Sequence, residues 1–372
     1  MNSILEKLRG NDNPTIRVEK RFSALRLLLA VLIALLIAFL LMCTISDNPL
    51  RDLQTLLVGP LAKKSRRISI ITKLIPLLFT GTAVCLINSA GQITTACEGA
   101  FYFGAVAATA VAIVPGIPSA VHIPLCFAAG ALVGAIIVMI PTWFNVRYNV
   151  LTIVVALLVT NVFVYFGQYL ILHPLKDTNP NSQADVSKLF QKSALLPNLA
   201  SIGYKRIHLG LLIGAVIVFF GYFLLYKTSF GLEIRTVGNN QRFSRYSGIN
   251  VGKVAITTAL ISGAIAGMGG TSEVLGLYER FMYTGTTNHG WNGIVIAVLC
   301  KNNPKFVPIA ALFLAYLSTA ADALNSTSKI PPEIINIIQP IIIIFVAASQ
   351  LLAPWEHRAI VKASRKMIEK EN

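Results

Sequence analysis

Three carboxylates stand out because of where they lie. Glu98, Glu273 and Asp322 fall within or beside long apolar runs. An unpaired charge at the centre of a bilayer costs about 2.5–3.5 kcal/mol, so each must be paired, sit near a helix end, or face water. Two chemistries follow: a proton relay, or hydrogen bonding to the free amides of helix ends. The chain has no ladder of such groups, which favours the second. Amide side chains form another set. Asn88, Gln92, Asn288 and Asn292 occupy two polar, glycine-rich stretches, INSAGQITTACEGAFYFGA (87–105) and RFMYTGTTNHGWNGIVIAVLC (280–300). Amides both donate and accept, which suits a hydroxylated sugar or a base, and equally suits hydrogen bonding between membrane helices. His289 and Trp291 flank the second stretch, where Trp291 can stack on a ring or sit in the interface belt. Asn161, Tyr165 and Gln168 share a face further along, for lining or for packing. No HExxH, no GxSxG and no carboxylates at catalytic spacing are present, which leaves an intramembrane enzyme little support.

The elements that must hold these residues are membrane helices. Of 372 residues, 55% are hydrophobic and 13% charged, with a mean hydropathy of +0.67; a soluble domain carries about 25% charge. Apolar runs near 20 residues long predict about ten spans. They fall at 25–43, 69–88, a third reaching 114, then 121–141, 149–172, 209–226, 254–275, a half-helix within 280–300, 306–325 and 333–352. The predicted class is an all-α polytopic membrane protein. A polar basic head (1–24) precedes a transmembrane domain (25–353), and a basic tail (354–372) follows. The first run lacks a small-x-small cleavage site and reads as a retained helix. Turn signals are Asn48-Pro49, Gly59-Pro60, Pro115 to Pro118 and Asn303-Pro304. Pro76 predicts a kink. Ser262, Ala266 and Gly270, four apart, predict a close packing face. A helix, a glycine-rich break and further helices recur at 69–141 and 254–325, the pattern of two pseudo-repeated halves with broken helices near the midplane.

The net charge of +16 is that of a chain with basic flanks beside anionic lipid, and no nucleic-acid motif accompanies it. Cys43, Cys85, Cys97, Cys126 and Cys300 lack CxxC spacing and read as small packing residues. The loop at 173–207 is polar, with three prolines, and is expected outside.

The most polar internal stretch after the head is 227–253, KTSFGLEIRTVGNNQRFSRYSGINVGK. It carries Lys227, Arg235, Arg242, Arg245 and Lys253 against Glu233 alone. Gly238 and Gly248 bracket about two helical turns. Asn239 or Asn240 can cap their start, and Gly248 suits the left-handed stop. Phe243 and Tyr246 share a face. This predicts a short basic helix with exposed aromatics, a docking surface for another protein, against the plainer reading of a positive loop.

GLEIRTVGNNQRFSRYSGINVGK resembles the cytoplasmic motif of permease subunits of ABC importers, in the branch serving branched-chain amino acids, simple sugars and nucleosides. Phe230, Gly231, Ile234, Arg235, Val237, Gly238, Asn239, Gly248 and Ile249 carry the match. ISGAIAGMGGTSEVLG, then Gly290, Gly293, Ile294, Ala297, Leu299 and Asn303-Pro304, extend it, and 338–348 resembles the last helix. In the first half, Asn88, Gly91, Gln92, Glu98 and Gly99 supply a nucleoside-type signature in altered order. Ser244 and Arg245 stand where small alanines are usual.

The resemblance implies a permease subunit for nucleosides or simple sugars, paired with a second permease subunit, cytoplasmic ATP-binding subunits and an extracellular binding lipoprotein in a bacterial inner membrane. It implies that Gly231, Arg235, Gly238, Asn239, Asn240, Arg242, Phe243, Tyr246 and Gly248 couple to the ATPase, and that the chain binds no cofactor and is not itself an enzyme. No GxxxxGK[ST] occurs. The orientation with 227–253 and both ends cytoplasmic also comes from the resemblance; Lys63 to Arg67 and Lys205-Arg206 would then lie outside, against the positive-inside tendency. The alternatives are a branched-chain amino acid permease of the same family and a proton- or sodium-driven secondary carrier using Glu98, Glu273 and Asp322.

Overall fold

A computed structural model describes residues 48–177, 186–202 and 205–327, with isolated positions between 33 and 43 and at 340–341. The head, the predicted spans at 25–43 and 333–352, and the tail therefore lie outside the described residues. The chain divides into two compact units, 1–59 with 320–372, and 60–319. The second holds the elements that matter below.

The helices are α1 (Pro49–Ala62), α2 (Lys64–Ser89), α3 (Ala96–Ala112), α4 (Ser119–Tyr148), α5 (Thr152–Leu172), α6 (Gly210–Lys227), α7 (Ser229–Asn239), α8 (Gln241–Tyr246), α9 (Val251–Leu277), α10 (His289–Leu299) and α11 (Val307–Thr327). Among the described residues six are long and apolar enough to cross a membrane: α2, α4, α5, α6, α9 and the stretch Pro304–Thr327 that contains α11. α3 and α10 are apolar but shorter.

Several expectations are corrected here. Pro49 opens a helix, as a proline without a needed N–H can, and Gly59-Pro60 lies inside α1, near its end, where few hydrogen bonds are lost. α2 includes Pro76 within its length, as the predicted second span did. α4 runs through Pro124 and Pro141 to Tyr148, ending at Asn149 in the left-handed conformation, so Arg147 is in its last turn. The chain is mostly helical, with one short antiparallel pair, β1 (Asn198–Ile202) and β2 (Lys205–His208), at the end of the predicted 173–207 loop.

Burial sorts the helices. In the most apolar stretch of α2, 78% is buried, against 22% in α5 and 28% in α6. α2 is thus central, while α5 and α6 present outward faces such as Leu158, Val162, Val216 and Phe219, which in lipid need no cover. The core is α9 packed on α2, α3 and α4. Gly104 of α3, Gly130 and Gly134 of α4, and Gly263 and Gly267 of α9 meet main chain to main chain, with no room for a Cβ. Helices approach this closely only through small residues. The predicted face also holds: Ser262 Oγ donates to the Ala83 carbonyl at 2.6 Å, Ala266 is buried, and Gly270 lies on the Phe101 carbonyl.

The polar loop after α5 is tied down by its backbone. Ser187 and Phe190 N–H groups donate to the Phe281 and Glu279 carbonyls, and Leu196 N–H to Leu275. Arg280 pairs with Asp177 at 3.3 Å. This loop and the 227–253 stretch lie at opposite ends of α6.

Candidate functional site

Two sites emerge, one at the end carrying 227–253 and one deep among the helices.

The 227–253 stretch is two helices, not one. α7 begins at Thr228, whose hydroxyl accepts from Gly231 N–H at 3.0 Å. Ile234 and Val237 are fully buried on its inner face. Arg235 lies on its half-buried side, with its guanidinium 4.9 Å from the centre of the Tyr226 ring. Asn240 then breaks the helix and caps α8, its side chain accepting from Phe243 N–H at 3.0 Å. Gly248 ends the element at φ +80°. Arg242, Arg245, Phe243 (59% exposed) and Tyr246 (93% exposed) project from α8. Ser244 is buried, its hydroxyl satisfied by the Asn240 carbonyl at 2.9 Å.

This element rests on the end of α2. Gly238 abuts the Ser89 carbonyl and Gly91, which takes φ +74°. Nearby, Asn88 Nδ2 donates to Asn302 Oδ1 at 3.4 Å. Gln92 joins α4 to α5: Nε2 donates to Asn145 at 3.2 Å, and Oε1 accepts from the Thr152 hydroxyl at 2.6 Å. Cys85 and Cys300 bring their sulfurs to 3.3 Å across α2 and the end of α10.

Deeper in, both polar stretches form breaks before short helices, 90–95 before α3 and 278–288 before α10. Helix α10 starts at His289, earlier than the apolar run from Ile294 implies. Glu98, fully buried in the first turn of α3, reaches across to the start of α10. Its Oε1 accepts from Thr287 N–H and Asn288 N–H, both at 2.8 Å, and from the Thr287 hydroxyl at 3.1 Å. Its Oε2 accepts from Gly290 N–H at 2.6 Å. One carboxylate thus caps α10 while complementing the positive end of α3. Gly290 permits this, since a Cβ there would fall on the Glu98 main chain. Beside it, Glu273 Oε1 meets His289 Nε2 at 3.1 Å, and Phe101 tilts against the imidazole at 5.0 Å. Glu273 Oε2, His289 Nδ1, Tyr102 Oη and Tyr283 Oη are buried without a direct hydrogen-bond partner.

At the loop end, His208 is buried against Gly276, and its Nδ1 accepts from Gly210 N–H at 3.2 Å. Burial pushes its imidazole down to about 4, with Glu273 opposing.

The other expected residues are dispersed. Asn288 is exposed at φ +61°, Trp291 is 44% exposed and Asn292 half-buried on α10. Gln168 donates to the Thr284 carbonyl at 2.6 Å. Asn161 and Tyr165 are exposed on α5, Asn161 bonding back to Leu157 at 3.0 Å. Asp322 is exposed near the end of α11. Two participants went unnoticed in sequence: Thr287, one of a Thr pair before Asn288, and Lys73, a lone cation in an apolar run, whose Nζ reaches Ser318 Oγ at 2.8 Å.

Comparison with known proteins bears on this arrangement. Residues 66–347 match the family described as branched-chain amino acid transport system / permease component. The glucose ABC transporter permease protein TsgB13 of Haloferax volcanii is 29% identical over 87% of this chain and 86% of its own. The guanosine ABC transporter permease protein NupP of Bacillus subtilis is 32% identical over 75% and 80%. The nucleoside ABC transporter permease protein NupB of Lactococcus lactis is 24% identical over 91% and 94%.

Proposed function

The chain belongs to the branched-chain amino acid transport system / permease component family, and from that membership we propose that it is the membrane subunit of an ATP-driven importer for nucleosides or simple sugars. The observation that carries this reading is the α7–α8 element. Its inner face is buried, its basic and aromatic tip is exposed, and Gly238 bears on the end of α2 without an intervening side chain. A cytoplasmic ATPase pressing on α8 would act directly on the main chain beside the 90–95 break. That is how a two-state passage is biased from outside.

In this reading the ATPase contact comprises Arg242, Phe243 and Tyr246, with Gly231, Arg235, Gly238, Asn239, Asn240 and Gly248 shaping it. The passage draws on Asn161, Gln168, Asn288, Trp291 and Asn292, with Asn88 and Gln92 at its inner end. The complex has ten spans per permease in two pseudo-repeated halves, a second permease subunit, two ATPases and an external binding lipoprotein, in a bacterial inner membrane. The names of the three relatives support nucleoside or sugar cargo.

The test is reconstitution of the complex in liposomes with a panel of nucleosides, pentoses and branched-chain amino acids. ATP-dependent nucleoside or pentose uptake is expected. Uphill uptake by the chain alone, driven by a proton or sodium gradient, overturns the reading.

A further inference from the structure

The first turns of α3 and α10 meet inside the helical core. Helix N-termini present unpaired N–H groups and positive potential, and in transporters with interrupted helices they hold anionic substrate groups. At the start of α10 that capacity is taken. Thr287, Asn288 and Gly290 N–H groups all donate to Glu98. All four partners of the Glu98 carboxylate act as donors toward it, which is the setting of a carboxylate that belongs to the fold. Beside it Glu273 is a second carboxylate, met by the His289 imidazole, which lies against Phe101. The Glu98 carboxylate thus fills the start of α10, and a further anion would meet it where free amides would otherwise stand.

We propose that Glu98 is a specificity-determining residue: by occupying the start of α10 it restricts the cargo to uncharged solutes, such as nucleosides and sugars, and excludes carboxylate-bearing ones, such as amino acids. This rests on the importer reading for its consequence in transport. Its physical basis, an anion site filled by the chain's own side chain, does not.

The experiment has two arms. The first compares the full-length chain with Glu98→Ala, purified in detergent, by thermal unfolding in sodium formate, sodium chloride and formamide. Formate should raise the Tm of Glu98→Ala by several degrees and leave the parent chain unmoved, with neither control mimicking it, because a small carboxylate refills the vacated place. Indifference of Glu98→Ala to formate, or an equal response of both chains, overturns the proposal. The second arm needs no variant. The parent complex is given a nucleoside and its 5′-carboxylate analogue, each saturating the binding protein, and uptake should favour the neutral solute by at least about 30-fold, equivalent to about 2 kcal/mol. Comparable rates overturn the proposal. If neither solute enters with ATP, the importer reading fails while the formate result still stands or falls by itself.

Discussion

Gly238 lies directly against the main-chain carbonyl of Ser89, so the surface-facing α7–α8 element and the central helix α2 touch backbone to backbone. Gly91, at φ +74°, closes the contact from the next loop. Under the proposed function, a displacement of α8 would reach the 90–95 break through this contact.

Gly238→Ala inserts a methyl group where the Ser89 carbonyl already sits. The overpacking should cost about 1–3 kcal/mol. Stimulation of ATP hydrolysis by loaded binding protein should fall at least tenfold, while membrane insertion persists. ATPase assays with and without the binding protein measure this, and normal stimulation would remove the coupling role.

Gly290→Ala pushes α10 off the Glu98 main chain and lengthens the four hydrogen bonds that seat it. Uptake should drop by an order of magnitude or more with basal ATP hydrolysis retained, because the α7–α8 surface is untouched. Loss of both activities together would point to general misfolding.

Gln92 is 4% exposed and satisfied on both sides by Asn145 and Thr152. Gln92→Ala leaves the buried Thr152 hydroxyl without its partner, at about 1–3 kcal/mol, and removes the partner of the half-buried Asn145. A lower Tm with unchanged substrate preference is expected if the residue joins helices; altered preference in the uptake panel would place it in the passage.

His208 gives a pH dependence. Its folded value near 4 lies below the ordinary 6.5. Between those values the unfolded chain binds more protons, so stability is full above about pH 6.5 and declines as pH falls toward 4. The loss is at most roughly 3 kcal/mol. His208→Asn keeps an acceptor for Gly210 N–H and should flatten that slope in Tm measured from pH 4.5 to 7.5; an unchanged slope would assign it elsewhere.

Much of this arrangement was legible in the chain itself. The apolar runs place α2, α5, α6 and α9 within a few residues, because span length is set by the bilayer. The spacing of Ser262, Ala266 and Gly270 marks a true contact face. Helix α7 was hidden because Thr236, Gly238 and Asn239 look like loop, although Gly231, Ile234 and Val237 already recur at helical intervals. Gly59-Pro60 misled for the opposite reason: a turn signal near a helix end does not have to end it. The capping of α10 by Glu98 had no local signature, since its donors lie some 190 positions away. Sequence showed that the carboxylate needed partners; only the fold could say which.

The glycine seam among α3, α4 and α9 has a mechanical corollary. Where main chain meets main chain, no side chain can swing aside to absorb a shift, so the three helices are expected to travel as a single girder. Any doorway that opens and shuts must be cut along its outer edges, and a small molecule meant to jam this machine should be aimed at those margins, away from the girder's interior.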